Sequence, residues 1–207
     1  MNRTTLRHDY TCELAGGLAI NRSSREIHDE LLVMRCRRRD VVAWDELVDC
    51  WNDRLLYYLR RLIDHEHDAK NALQEVWLKA FRNIRSLRDR SRLAPWLYTI
   101  ARRTAMDHFR TEYARRETQD CELMENQTVD EREEQLILEN AELVHLGLGQ
   151  LRIQEREVLT LFFLDDLRIG EIAAVLEIPE GTVKSRLFKA RRDLRRVLEM
   201  EGHHHDS

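Results

Sequence analysis

Residues 170–198 (GEIAAVLEIPEGTVKSRLFKARRDLRRVL) constrain the fold more than any other stretch of this chain. A short apolar run is interrupted at Ile178-Pro179, because proline lacks an N–H and restricts the residue before it. Beyond this break, apolar residues recur at helical spacing and form one stripe: Val183, Leu187, Ala190, Leu194 and Val197. The pattern predicts a helix over residues 170–177 and a second helix from residue 180 onward, joined by a tight turn.

The side of the second helix away from this stripe is polar and basic. Residues 182–198 contain seven Lys or Arg and one Asp, a net charge of +6. This layout is typical of a helix-turn-helix whose second helix enters a DNA major groove. A solvated basic face is the alternative interpretation, but the coincidence of turn, stripe and charge favours DNA. The residues that this side presents include Lys184, Ser185, Arg186, Phe188, Lys189, Arg191 and Arg192.

Charge is strongly segregated along the chain, although the total is only −4. Residues 82–116 contain ten Arg and three acids, a net of +7, whereas residues 117–142 contain ten acids and one Arg, a net of −9. Local patches rather than the total decide contact with phosphate. The acidic span has few large apolar residues, which is typical of a linker between domains.

The composition indicates an all-α protein. Among 207 residues there are only seven Gly and two Pro, and runs of alternating Val, Ile and Thr are absent. We expect two helical domains joined by a flexible acidic linker. The expected order is a flexible extension (1–27), a first domain (28–113), the linker (114–134), a second domain (135–200) and a disordered tail (201–207).

The first domain is expected to contain four helices. Two fall within residues 28–63, a third spans residues 68–84 with Asp68 as its N-cap, and a fourth follows a basic connector and places Pro95 at its first position. In this last helix we expect Trp96 to be able to pack in the core, and Tyr98, Arg102 and Arg103 to be more exposed. Aromatic residues interleaved with Arg suit single-stranded nucleic acid.

Several other functions find little support. The four cysteines form no CxxC pair, which indicates reduced thiols in a cytoplasm. No apolar run is long enough to cross a membrane, and the N-terminus has no signal-peptide core. His65 and His67 lie in a short polar break without a second ligand pair, so no metal site is predicted. No cofactor loop or catalytic constellation is found.

Three motifs occur in a fixed order along the chain: DAKNALQEVWLKAFRNI, WLYTIARRTAMDHFR, and residues 151–198. In this order they resemble the extracytoplasmic-function class of bacterial sigma factors. The resemblance implies two helical domains, called region 2 and region 4, that bind core RNA polymerase and direct it to promoter DNA. It places four residues on the helix that docks on the polymerase clamp: Asp68, Gln74, Glu75 and Leu78.

The resemblance also implies two DNA contacts. The −10 element would be opened and held by Leu87, Arg88, Trp96, Tyr98, Arg102 and Arg103. The −35 element would be read at base edges by Lys184, Ser185, Phe188 and Lys189, while Arg186, Arg191 and Arg192 hold phosphates. Arg103 departs from the Asn that is common in the family, and residues 168–170 depart from its small polar and aromatic pair.

The resemblance further implies a cytoplasmic, non-enzymatic promoter-specificity subunit without cofactors, and an anti-sigma protein as a partner. Two other functions stay open on the residues alone. A stand-alone helix-turn-helix regulator would not need the first domain. A metal-dependent enzyme would use the His-rich segments, including His203, His204 and His205.

Overall fold

The structure, a computed structural model, describes residues 18–118, 147–164 and 166–205. Within these ranges every regular element is helical, which confirms the all-α prediction. The first half contains α1 (Leu18–Arg37), α2 (Val41–Leu62), α3 (Glu66–Asn83) and α4 (Leu93–Thr118). Two 3-10 turns, Ile84–Ser86 and Arg90–Arg92, connect α3 to α4. Most of the expected linker lies outside the described residues.

The second half contains α5 (Ile153–Leu159), a π-helical turn (Thr160–Leu164), α6 (Ile169–Leu176) and α7 (Glu180–His205). The predicted break at Ile178-Pro179 is confirmed. Glu177 ends α6 in the left-handed region with φ 55°, and the Pro179 carbonyl accepts from the N–H groups of Thr182 and Val183. Of the predicted stripe, Val183, Leu187 and Ala190 are buried, and Leu194 and Val197 are half-buried.

The core of the first half lies between α2, α3 and α4. Seven residues at helical spacing bury one side of α2: Ala43, Leu47, Trp51, Leu55, Tyr58, Leu59 and Leu62. Asp40 caps this helix by accepting from the Ala43 N–H at 3.2 Å, and Arg35 of α1 binds both Asp40 and Glu46 at 2.9 Å. This network fixes the turn between the first two helices.

α1 begins at Leu18, within the residues that were expected to form a flexible extension. The predicted starts of two other helices, α3 and α4, were wrong. α3 begins at Glu66, so Asp68 lies in its first turn instead of capping it. α4 begins at Leu93 and places Pro95 third; proline is tolerated there because the first-turn N–H groups have no partner within the helix.

α7 is described as far as His205, so its last residues lie in the span 201–207 that was expected to be a disordered tail. Nothing in the sequence between Gly181 and His205 breaks a helix except Gly202. Residues 206 and 207, like residues 1–17, lie outside the described ranges.

Candidate nucleic-acid interface

The second helix of the helix-turn-helix, α7, presents a mixed basic and aromatic edge. Lys184 and Ser185 are exposed, Arg186 is half-buried, and Phe188 is 73% exposed. The Phe188 ring is therefore accessible to a ligand on the basic side of the helix. A lysine, a hydroxyl and an aromatic ring can bind base edges and thymine methyl groups.

Neighbouring elements hold two other basic residues of α7. Lys189 is half-buried, and its Nζ binds Oε1 of Glu155, a carboxylate whose side chain is only 8% exposed. The Arg191 guanidinium stacks over Phe162 and Phe163, with centroid distances of 5.1 and 4.9 Å. Lys189 and Arg191 are therefore anchored to the body of the second half, in contrast to the exposed Lys184.

Local hydrogen bonds cap both ends of α6, the helix that precedes the turn. The N–H of Arg168 donates to Glu171 Oε2 at 2.8 Å and so stabilises the start of α6. The N–H of Ile178 donates to the Ala173 carbonyl at 3.1 Å and closes the end of that helix. Lys184 and Phe188 lie four residues apart on α7, so helical spacing places them on one side of it.

In the first half, the connector between α3 and α4 combines one buried leucine with several exposed arginines. Leu87 is 4% exposed, whereas Arg88, Arg90 and Arg92 are exposed. Asp89 accepts from the Ser91 hydroxyl at 2.6 Å, and this hydrogen bond lowers the pKa of its carboxyl group below the usual range. The anchor and the Asp89 cap give the basic connector a defined shape.

On α4, the predicted exposure of Tyr98 was wrong. Its ring is fully buried and lies in edge contact with Trp51 and Tyr58, at centroid distances of 6.2 and 5.1 Å. The ring is buried because α2 packs against this side of α4. Trp96 is half-buried, Arg102 is half-buried and Arg103 is exposed.

Arg102 and Arg103 both bind carboxylates of the second half. Arg102 Nε donates to Glu157 Oε1 at 2.9 Å, and Arg103 Nη2 donates to Glu177 Oε1 at 2.8 Å. The Tyr58 hydroxyl also donates to Glu157, at 2.8 Å. Burial, reinforced by the charge of Glu157, raises the pKa of Tyr58 well above its usual range, so its hydroxyl stays protonated and remains a donor.

A separate surface on α3 combines polar and apolar groups. Gln74 and Glu75 are exposed and Leu78 is 56% exposed, while Asp68 is half-buried near His108. Glu75 binds Lys79 at 2.9 Å. This face lies on the opposite side of the helix from its buried Ala69, Leu73, Val76 and Ala80.

The sequence reasoning missed an apolar extension of this face. Phe81 follows the helical spacing of the apolar residues of α3, but it is 61% exposed and contacts Trp44 of α2 at a centroid distance of 5.1 Å. Val41, one turn before Trp44, is 71% exposed. We call Val41, Trp44, Leu78 and Phe81 the α2–α3 patch. The repeated apolar residues at the start of α2, Val41 and Val42, were the signal that could have revealed it.

Within the described part of the chain, no helix is long and apolar enough to span a bilayer. The same residues contain no group of three or more His, Cys, Asp or Glu side chains placed to hold a metal ion.

Two family profiles match the chain. The profile described as Sigma-70 region 2 matches residues 47–115, and that described as Sigma-70, region 4 matches residues 141–194. The RNA polymerase sigma-H factor of Pseudomonas aeruginosa is 31% identical over 181 residues, which cover 83% of this chain and 94% of that protein. The ECF RNA polymerase sigma-E factor of Escherichia coli is 30% identical over 178 residues, covering 81% and 93%.

A solved structure shares the fold. The sigma factor RpoE of Bartonella quintana, in complex with the anti-sigma factor NepR, superposes with a TM-score of 0.65 at 22% identity, over 75% of this chain and 96% of that one. The fold and both profiles define a sigma-70-type sigma factor, a class of transcription factors and not of enzymes. The curated relatives place the chain in its extracytoplasmic-function class, to which it belongs.

As a member of this class, the chain directs RNA polymerase to initiate transcription. The region 2 match counts against a stand-alone helix-turn-helix regulator, since such a protein has no need of that domain.

Proposed function

We propose that the chain holds a promoter at two points, with α7 on the −35 element and the connector and α4 on the −10 element, while α3 docks on core polymerase. The observation that carries this proposal is the division of exposed functional groups among three surfaces. Exposed cations lie on α7 and on the connector to α4, whereas the exposed groups of the α2–α3 patch are apolar. Joining two DNA contacts on one polymerase raises their combined affinity above that of either contact alone.

At the −35 element, the exposed edge of α7 reads bases. Lys184 donates to guanine acceptors, Ser185 pairs with several base edges, and Phe188 packs on a thymine methyl group. Lys189 supports this readout from beside Glu155. Arg186, Arg191 and Arg192 bind phosphates and set the register of the helix on the duplex.

At the −10 element, the connector and α4 hold the separated strand. Arg88, Arg102 and Arg103 neutralise phosphates, and Trp96 offers a stacking surface. Leu87 and Tyr98 support this face from the core, since both are buried. Extruding a base costs a few kcal/mol, which the pocket and the phosphate contacts must offset.

Core polymerase binds the mixed surface of α3. Gln74 and Glu75, with Asp68 at the helix start, supply polar contacts, and Leu78 with the rest of the α2–α3 patch supplies apolar area. An apolar centre with a polar rim is the usual composition of a protein–protein interface. Polymerisation itself belongs to the core enzyme, and this chain contributes no catalytic group or cofactor.

We further propose that the chain acts in the cytoplasm and that an anti-sigma protein regulates it. The fold supports this second point, because the Bartonella quintana sigma factor that it resembles is bound to an anti-sigma factor.

The docking surface is tested by measuring the affinity of the chain for core polymerase, together with transcription from linear promoter DNA. Glu75→Lys should weaken association with core polymerase at least tenfold, which is about 1.4 kcal/mol, because it places a cation in the docking surface. Glu66→Lys is the matched control, since Glu66 is exposed on the same helix and pairs with Lys70. Undiminished polymerase binding by a folded Glu75→Lys chain contradicts the assigned surface.

A further inference from the structure

Lys79 of α3 joins three side chains from two helices that pack together. Its ammonium group binds Glu75 Oε1 at 2.9 Å, one turn earlier on its own helix. It also donates to Thr104 Oγ1 at 3.1 Å and lies 3.5 Å from Asp107 Oδ2, and both of these partners belong to α4. Because an ammonium group has three N–H donors, each of the three acceptors can be served by a different one.

The partners of Lys79 differ in how firmly they are held. Thr104 is 1% exposed, so the packing of the core fixes its position. Asp107 is exposed but also accepts from Arg110 on its own helix, at 3.4 Å. The half-buried Lys79 therefore connects a hydroxyl that is fixed in the core to the exposed carboxylate of Glu75.

A second ion pair on the same helix shows what this anchoring adds. Lys70 binds Glu66 at 2.7 Å, also one helical turn apart, and their side chains are 57% and 53% exposed. Exposed pairs of this kind hold their side chains weakly, because water competes for both charges and ordering two long side chains costs entropy. The Lys79 side chain is only 32% exposed and has partners on both helices, so its ammonium group has fewer alternative positions.

The anchored ammonium group restricts the carboxylate of Glu75. Because Glu75 is one of the residues that the proposed function places on core polymerase, this inference rests on that function. Lys79 holds Oε1 of Glu75, which leaves Oε2 for a donor of the polymerase. A side chain that is already ordered loses less rotamer entropy when it enters an interface.

We propose that Lys79 is a positioning residue for polymerase docking. Held by Thr104 and Asp107 of α4, it fixes the Glu75 carboxylate in the orientation that core polymerase binds. The free chain thereby presents an ordered acceptor next to the exposed Leu78. The polymerase group that this arrangement fits is a cationic side chain, because an ionised donor and a carboxylate form the stronger kind of hydrogen bond.

The test measures the affinity of the dye-labelled full chain for core polymerase by fluorescence anisotropy. Lys79→Met keeps a long unbranched side chain and removes the ammonium group. It should weaken binding about threefold to tenfold, because Glu75 must then become ordered during association. Lys70→Met is the matched control: it removes the same charge and the same kind of pair from the same helix, and it should change the affinity less than about twofold.

Thr104→Val removes one acceptor of the ammonium group without changing the charge of the chain. Because Thr104 is buried, it cannot touch the polymerase, and a loss of affinity has to act through the side chain that it holds. The variant should weaken binding by a smaller factor than Lys79→Met, since Glu75 and Asp107 still bind Lys79. Thermal unfolding followed by circular dichroism checks that each variant is folded at the temperature of the binding measurement.

A double-variant cycle separates positioning from a purely structural effect. In a Glu75→Ala background, Lys79→Met should cause no further loss of affinity, because the carboxylate that it positions is gone. Equal losses with and without Glu75 overturn the proposal, and so does a Lys79→Met chain that binds like the wild type. A folded Thr104→Val chain with undiminished affinity also overturns it, because α4 would then not hold Lys79 in the way proposed.

Glu75→Ala by itself separates failure of this inference from failure of the proposed function. If Glu75→Ala weakens binding and Lys79→Met does not, α3 remains the docking surface and Glu75 acts without being positioned. If Glu75→Ala leaves the affinity unchanged, the docking role of Glu75 fails, and the positioning role of Lys79 fails with it.

Discussion

At the scale of single residues, Lys184 and Lys189 are both basic residues of α7, but their surroundings give them different freedom to bind DNA. Lys184 is exposed, whereas Lys189 binds the buried carboxylate of Glu155. A lysine already paired in a partly buried site must give up that pair before it can bind a base. We therefore assign the larger share of base selectivity to Lys184.

Changing Lys184→Ala should reduce discrimination between a matched and a mismatched −35 element by about 1–3 kcal/mol, because one base contact is lost. Promoter-competition transcription with core polymerase measures this difference. Arg195→Ala is the matched control, since Arg195 is 81% exposed on the same helix and pairs with Glu199. Equal promoter preference in the Lys184 variant and the wild type argues against the assignment.

Asp29 is a second residue whose surroundings change a property, in this case the pKa of its carboxyl group. Burial raises the pKa of its carboxyl group to about 6, against the opposing effect of the Trp51 Nε1–H, which donates to it at 3.3 Å. The folded protein therefore holds a proton on Asp29 at pH values where the unfolded chain has released it. This contribution to stability is present at low pH and is lost as pH rises through the window from about 4 to about 6.

Changing Asp29→Asn removes the ionisation but keeps an oxygen that can accept from Trp51. The free energy of unfolding of the variant minus that of the wild type should be about 1–2 kcal/mol larger at pH 7.5 than at pH 4.5, allowing for partial exposure. Urea unfolding at both pH values measures it. Asp45→Asn, an exposed change on α2, should show no such trend, and a pH-independent difference for Asp29→Asn contradicts the raised pKa.

At the scale of elements, the first turn of α7 contains Gly181, where the surrounding packing leaves room for a larger side chain. A Cβ added at Gly181 would meet no atom within 4 Å. At Gly147, an added Cβ would lie 2.9 Å from Leu194 Cδ1 and 3.3 Å from Leu198 Cδ2. The first glycine costs helix stability without a compensating contact, whereas the second permits a close approach of α7.

Gly181→Ala should therefore raise the free energy of unfolding by about 0.5–1 kcal/mol, since alanine loses less backbone entropy in a helix. Gly147→Ala is the comparison, and it should be neutral or destabilising because Leu194 must move. Thermal unfolding followed by circular dichroism distinguishes the two. A loss of stability in the Gly181 variant would mean that its backbone needs the freedom of glycine.

The helices also show which features the apolar periodicity of the sequence can predict and which it cannot. Residues 170–198 predicted α6, the turn and α7 to within a few residues, because the proline break and the apolar stripe are local signals. The same reasoning predicted the wrong exposure for Tyr98, and it did not predict that Phe81 is exposed. Periodicity gives the angle of a side chain around one helix, but α2 buries Tyr98 against Tyr58, and no described element covers most of Phe81.

At the scale of the whole molecule, the contact between the halves depends on a small polar centre. The Tyr58 hydroxyl donates to Glu157 inside this contact, while its ring packs on Tyr98. Removing only the hydroxyl leaves the carboxylate buried with one donor fewer, and an under-satisfied buried charge is destabilising. The hydroxyl therefore stabilises the arrangement of the two halves more than the core of either half.

Tyr58→Phe should lower the free energy of unfolding of the full chain by about 1–2 kcal/mol. Tyr57→Phe is the matched control, because Tyr57 is half-buried on the same helix and the stacking of Arg61 on its ring, at 4.6 Å, is kept. Urea titrations of both variants provide the measurement. Equal losses in the two variants would show that the Glu157 contact contributes nothing specific.

The sequence by itself determined the all-α class, the helix-turn-helix, the segregation of charge and the sigma-factor class, because each depends on residue types at short spacings. Only the tertiary structure decided that Arg102 meets Glu157, 55 residues away, and that Arg103 meets Glu177, 74 residues away. Local patterns fix which side of a helix is polar. They do not fix which distant acid reaches it, since that depends on how whole helices pack.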